Sequence, residues 1–218
     1  VKQGVKKEIL QRLETVYADT TSALRFADPF ECLVATILAA QCTDVRVNQV
    51  TPALFARYPN PQAMAEATPE DLIPYIHSCG FFNSKARHLV GAAQRICQAH
   101  GGAVPDTLEE LRTLPGVGQK TANVVYANAF GGDAIAVDTH VFRVSNRLGL
   151  AHAKTPEKTE DDLRQAIAQE RWSEAHHWIL WHGRRVCHAR KPACETCFLK
   201  DLCKFYLENS SHHLQSKE

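Results

Sequence analysis

A chain of 218 residues is long enough for one large or two small domains with a substantial core. Its 25 Lys and Arg nearly balance 24 Asp and Glu, so net charge alone does not announce a polyanionic partner. No apolar run approaches the roughly 18 residues of a membrane span and the N-terminus lacks a signal-peptide core, so a soluble intracellular protein with no membrane partner is expected.

From the start, the chain reads almost wholly as helix. Val5, Ile9, Leu10, Leu13, Val16 and Tyr17 share one face of a first helix. Asp28 before Pro29 starts a second, with Leu33, Val34, Ile37 and Leu38 as buried candidates. A third begins after Asp44 and runs towards Tyr58. Asn60-Pro61 and Thr68-Pro69 open two more, and Pro74 is expected to distort the latter. Lys85 to His100 carries Leu89, Val90, Ala93 and Ile96 on one stripe, and Thr107 with Glu110 has capping-box spacing. Further on, Asp138 can cap a helix through Leu148, Thr155-Pro156 opens another, and Trp172 to Trp181 supports a last one. Alternating strand patterns are nearly absent, so the expected fold class is all-α. From about Glu208 the chain is polar and reads as a disordered tail.

One stretch breaks this regularity. In LPGVGQKTANVV, Leu114 to Val125, two glycines flank Val117 just before a run with helical spacing. A tight turn feeding a helix N-terminus offers unpaired N–H groups and partial positive charge, which suits a phosphate-sized anion. Lys120 lies in that first turn. A helix from Gln119 to Phe130 carries the chain roughly 18 Å away. Gly131 to Val137, if extended, reach back roughly 23 Å, enough to return Asp138 to the neighbourhood of Lys120. On spacing alone, Lys120 reads equally as a phosphate contact and Asp138 as a helix cap.

Towards the C-terminus the charges segregate. Six bases stand against two acids between Arg184 and Lys204, whereas Glu157 to Glu174 holds six acids and three bases. A face on a polyanion and a set of solvated helix faces both fit that pattern. Cys187, Cys194, Cys197 and Cys203, spaced C-x6-C-x2-C-x5-C, can close on one centre. Thiolates accept zinc or an iron–sulfur cluster equally, and so few apolar residues lie between Val186 and Leu199 that a metal is expected to replace a core there. His182 and His188 are further possible ligands; Cys32, Cys42, Cys79 and Cys97 read as small buried residues.

The hairpin with AVDTHVFRV, LAAQCTDVRVN, NSKA and the cysteine loop resembles the endonuclease III family, DNA glycosylases with abasic-site lyase activity, from about Ile9 to Phe205. The resemblance implies a [4Fe-4S] cluster on the four cysteines and two helical domains with a helix-hairpin-helix motif and a DNA cleft between them. Residues 22–132 would form the six-helix domain carrying the hairpin. Residues 1–21 plus 133–207 would form the cluster domain, and 208–218 the tail. It further implies Lys120 and Asp138 as catalytic residues and Gln41 as the wedge that replaces a flipped nucleotide. Phe81 of the Phe81-Phe82 pair, where the family often has leucine and tyrosine, would probe the opposite strand. Leu114, Gly116, Val117, Gly118 and Thr121 of the hairpin, His140 and Arg143 after Asp138, and Arg184, Arg185 and Lys191 near the cluster are the other expected DNA contacts.

The expected activity is removal of oxidised pyrimidines from double-stranded DNA, followed by lyase cleavage at the abasic site. A damaged base in a duplex must be flipped out before its sugar is reached. A neutral Lys120 amine then attacks the anomeric carbon, and the resulting Schiff base promotes elimination of the 3′ phosphate. An ordinary lysine is protonated at neutral pH, so a proton must leave first; a carboxylate such as Asp138 can accept it or stabilise charge on the sugar. The rival functions are an adenine glycosylase of the mismatch type, which generally lacks this lysine, a non-catalytic helix-hairpin-helix module, and an electron carrier. A monomer in a bacterial cytoplasm, associated with the nucleoid, is expected, with a nucleus or mitochondrion as the other settings.

Overall fold

The computed structural model describes residues 2–215, and within them there are helices and no strands. The all-α expectation holds. The chain divides into two compact units, residues 22–132 and residues 1–21 with 133–218. No helix among the described residues is long and apolar enough to cross a membrane.

The unit 22–132 is built around α2, Pro29–Leu38, in which every residue from Cys32 to Leu38 is buried. Its start is set locally: Asp28 accepts from the Glu31 amide at 2.8 Å, and the Glu31 carboxylate accepts from the Ala27 amide at 2.6 Å. Around it lie α3 (Asp44–Arg57), α4 (Pro61–Ala65), α5 (Pro69–Ile76), α6 (Phe82–Ala99), α7 (Leu108–Leu111) and α8 (Gln119–Phe130). Helix α2 packs on α3, α6 and α8, and α6 also carries α4 and α5. Pro74 does not interrupt α5, which continues to Ile76. The proline sits near the end of a short helix and forfeits only the bond its missing N–H would make to Glu70.

The other unit begins with α1, Gln3–Tyr17, which buries Ile9, Leu13 and Tyr17 at four-residue spacing against α11, Trp172–Arg185. Val16, expected on that face, is 50% exposed because it falls to the side of the stripe. Helix α9, Thr139–Leu148, packs on α10 (Pro156–Ala166), α11 and α12 (Lys204–Gln215). Ile135 and Val137 of the strand-like connection before α9 join this core. Helix α12 continues to Gln215 where a disordered tail from Glu208 was expected; residues 216–218 lie outside the described residues. Phe205 and Tyr206, packed on the core in its first turns, anchor the helix, and Asn209 donates back to the Phe205 carbonyl at 2.7 Å.

Candidate catalytic residues and metal centre

The hairpin joins α7 to α8 through backbone geometry that only glycine supplies. Gly116 has φ +78°, and a Cβ there would sit 2.7 Å from the His88 Cβ. The Val117 amide closes the turn on the Leu114 carbonyl at 3.1 Å. Gly118 then caps α8 with no side-chain bond and no acidic residue in the first turn. The first amides of α8 therefore lack intrahelical acceptors, as an anion site requires. Lys120 is exposed in that turn and Thr121 half-buried beside it. Leu114 and Val117, expected as DNA contacts, are instead buried, at 2% and 7% exposure, and pack into the core of this unit. Gly116→Ala should lower the melting temperature by several degrees, from backbone strain of about 1–3 kcal/mol plus the His88 clash. It should weaken DNA binding as well. An unchanged melting curve would count against both the strain and the clash.

Gln41 and Phe81 are the two non-glycine residues with left-handed backbones among those described, at φ 53° and 58°. Both are exposed, Phe81 to 67%. Their turns are neighbours: a Cβ on Gly80 would lie 3.7 Å from the Gln41 carbonyl oxygen. Lys85, buried to 5%, braces the pair by donating from Nζ to the Leu38 carbonyl at the end of α2, at 2.8 Å. Burial pushes its ammonium below the usual lysine range. Sequence reasoning missed this lysine, although it shares the i, i+4, i+8 stripe of Leu89 and Ala93. Strained backbone of this kind costs of order 1–3 kcal/mol per residue and clusters at functional sites.

In the other unit, Asp138 caps α9 with Oδ1, accepting from the Val141 amide at 2.7 Å, which leaves Oδ2 for a second task. Gly183 lets α9 and α11 approach closely: a Cβ there would meet the His140 Cβ and Val144 Cγ2 at 3.0 Å. Arg143 lies at that crossing. Its guanidinium donates to the carbonyls of Cys187 at 3.0 Å and Gly183 at 3.1 Å, with His140 Nδ1 3.2 Å away. Rather than standing free for a phosphate, Arg143 ties the Asp138 helix to the start of the cysteine loop. His140 is half-buried, and burial pushes its imidazole below the usual range. The guanidiniums of Arg184 and Arg185 lie 5.2 and 4.8 Å from the Trp181 ring, and Lys191 is exposed on the loop.

The four cysteines line one apolar pocket, together with Leu148, His182, Val186 and Phe205. Burial pushes the Cys194, Cys197 and Cys203 thiols up, a cost that ligation reverses by replacing the proton. Among the described residues no group of three ligands converges on a point suited to a single ion. Tetrahedral zinc requires sulfurs roughly 3.8 Å apart, from bonds of about 2.3 Å. A [4Fe-4S] cluster would take one cysteine on each of its four irons, a donor set that these four thiols match. The Arg147 guanidinium reaches the Cys187 sulfur at 3.4 Å, and the Leu199 amide reaches that of Cys197 at 3.4 Å. His188 is exposed, whereas His182 is fully buried beside Cys197. Its place on the Trp178–Ile179 stripe of α11 was the available signal.

Two family profiles match the chain. Residues 34–169 match the HhH-GPD superfamily base excision DNA repair protein, and residues 187–203 the iron-sulfur binding domain of endonuclease III. Endonuclease III of Synechocystis sp. is 51% identical over 197 residues, covering 90% of each chain. That of Escherichia coli K12 is 44% identical over 198 residues, covering 91% of this chain and 94% of its own. A solved trapped endonuclease III–DNA covalent intermediate aligns with a TM-score of 0.92 at 38% identity, covering 96% of this chain and 99% of that one. A thermostable thymine-DNA glycosylase, at 24% identity and TM-score 0.81, shares the fold.

Proposed function

Because the chain belongs to the endonuclease III family of base-excision DNA glycosylases and abasic-site lyases, we propose that Lys120 is its nucleophile, Asp138 its catalytic carboxylate and oxidised pyrimidines in duplex DNA its substrates. The observation that carries the reading is Lys120 itself, exposed in the uncapped first turn of α8 directly after the Gly116–Gly118 anion turn. A phosphate held on the α8 amides fixes the backbone next to the target sugar. The Lys120 amine bonds to the anomeric carbon as the bond to the base breaks. Ring opening gives the imine, loss of a proton from the next carbon follows, and the bond to the 3′ phosphate oxygen breaks.

Asp138 supplies negative charge while the sugar is electron-poor. Gln41 fills the space a flipped nucleotide leaves, and Phe81, on the neighbouring strained turn, probes the opposite strand. Duplex DNA is the partner and the enzyme acts as a monomer, in a bacterial cell in the cytoplasm, where the chromosome lies. Cys187, Cys194, Cys197 and Cys203 hold the [4Fe-4S] cluster, which supplies a rigid anchor for the basic loop bearing Lys191.

Asp138→Asn separates charge from structure, because asparagine caps a helix about as well as aspartate. Single-turnover base release should fall by roughly 10²- to 10⁴-fold with an unchanged melting temperature. Asp138→Ala should lose the rate and about 1 kcal/mol of cap besides. A near-wild-type rate for Asp138→Asn would leave Asp138 as a cap alone. Lesion choice is tested by a panel of oxidised pyrimidines against adenine opposite oxidised guanine; preference for the adenine substrate would overturn the assignment.

A further inference from the structure

His182 is the least exposed polar side chain of α11 that touches a cluster ligand. It is 0% exposed, with Nδ1 3.2 Å from the Tyr17 hydroxyl and Nε2 3.7 Å from the Cys197 sulfur. Tyr17 and Phe198 meet the imidazole edge-on, at ring centroids 5.9 and 5.3 Å away. Among the described residues the ring's hydrogen-bond partners are Tyr17 and Cys197, and a neutral imidazole carries a single N–H. Which nitrogen carries it follows from the neighbours. A cluster-bound Cys197 has no proton and can only accept, so the hydrogen sits on Nε2. Nδ1 is then the acceptor, and the Tyr17 hydroxyl donates to it.

We propose that His182, fixed in its Nε2–H tautomer by the Tyr17 hydroxyl, donates a hydrogen bond to the Cys197 thiolate and is a positioning residue that sets the retention and reduction potential of the cluster. The Leu199 amide reaches the same sulfur at 3.4 Å, so Cys197 receives two donors. Donors to a ligating sulfur draw off negative charge and favour the reduced cluster. Tyr17 ends α1 and His182 lies in α11, so the chain of bonds also links the N-terminal helix to the ligand loop. This does not depend on the roles given to Lys120 and Asp138.

The test uses cluster-loaded protein. His182→Phe keeps an aromatic ring but removes the N–H; it should lose iron to a chelator roughly ten- to a hundredfold faster, the usual scale for a partner behind a metal ligand. Its reduction potential should move to more negative values. His182→Gln restores a donor and should recover much of both, and Tyr17→Phe, which leaves the tautomer unfixed, should fall between. Wild-type iron loss and potential in His182→Phe would overturn the proposal. So would His182→Gln behaving like His182→Phe while both keep the helical circular dichroism of the parent, since packing alone would then explain the loss. Should His182→Phe not fold, pulsed EPR of ¹⁵N-histidine-labelled wild type in a paramagnetic cluster state decides. A coupled histidine nitrogen supports the bond, and its absence refutes it.

Discussion

Lys120→Ala is expected to abolish borohydride-trappable adducts on abasic DNA and to reduce strand cleavage by at least about a thousandfold, as loss of a nucleophile does elsewhere. The substitution removes an exposed side chain from the first turn of α8 and leaves the Gly116–Gly118 turn, the Leu114 anchor and the uncapped amides in place. Alanine suits a helix better than lysine does, so no loss of stability should accompany the loss of activity. DNA affinity should fall only modestly, with one fewer cation near the backbone and a salt slope smaller by about one. A covalent adduct that survives in Lys120→Ala would assign the chemistry to another amine. A large loss of affinity with trapping intact would return Lys120 to the role of a phosphate contact.

Replacing one cluster ligand should have the largest effect on stability. Cys203→Ser is expected to eliminate the broad absorbance near 400 nm that marks an iron–sulfur cluster and to lower the melting temperature on the order of 10 °C or more. The segment from Val186 to Leu199 has little apolar surface of its own, and its three cysteines, Cys187, Cys194 and Cys197, are only half-buried. Its order rests on the metal, on Arg143 and Arg147 bonding to its carbonyls, and on Arg12, which meets the Phe198 carbonyl at 3.0 Å and Asp201 at 2.8 Å. Without the cluster, limited trypsin digestion should cut after Arg190, while the hairpin unit around α2, with its own core, stays protected. A Cys203→Ser protein that keeps its loop protected and its melting temperature would show that the side-chain brackets suffice.

The metal also shows how far ligand spacing reaches. Four thiols at C-x6-C-x2-C-x5-C admit zinc and an iron–sulfur cluster equally, because both accept four sulfurs. The family profile over residues 187–203 decides for the cluster. The DNA-facing residues divide in a similar way. Lys120, Gly116 and Gly118 were readable as an anion site because all three lie within a single turn. Arg143 was expected among the DNA contacts after Asp138, yet its guanidinium is committed to carbonyls 40 and 44 residues away.

What the chain determines by itself is local. Caps such as Asp28, Asn60, Thr155 and Asp138, the glycine turn and the apolar stripes act within about four residues, so residue order suffices to place them. Tertiary structure alone decided that Lys85 is buried against a carbonyl 47 residues away, and that the His182 ring is fixed by a tyrosine 165 residues away. It also decided that Gln41 and Phe81 adopt left-handed backbones on adjoining turns. These features depend on which surfaces meet once the helices pack. A polar group on an apolar stripe is costly until its partner arrives, and that partner lies too far along the chain for any local pattern to name it.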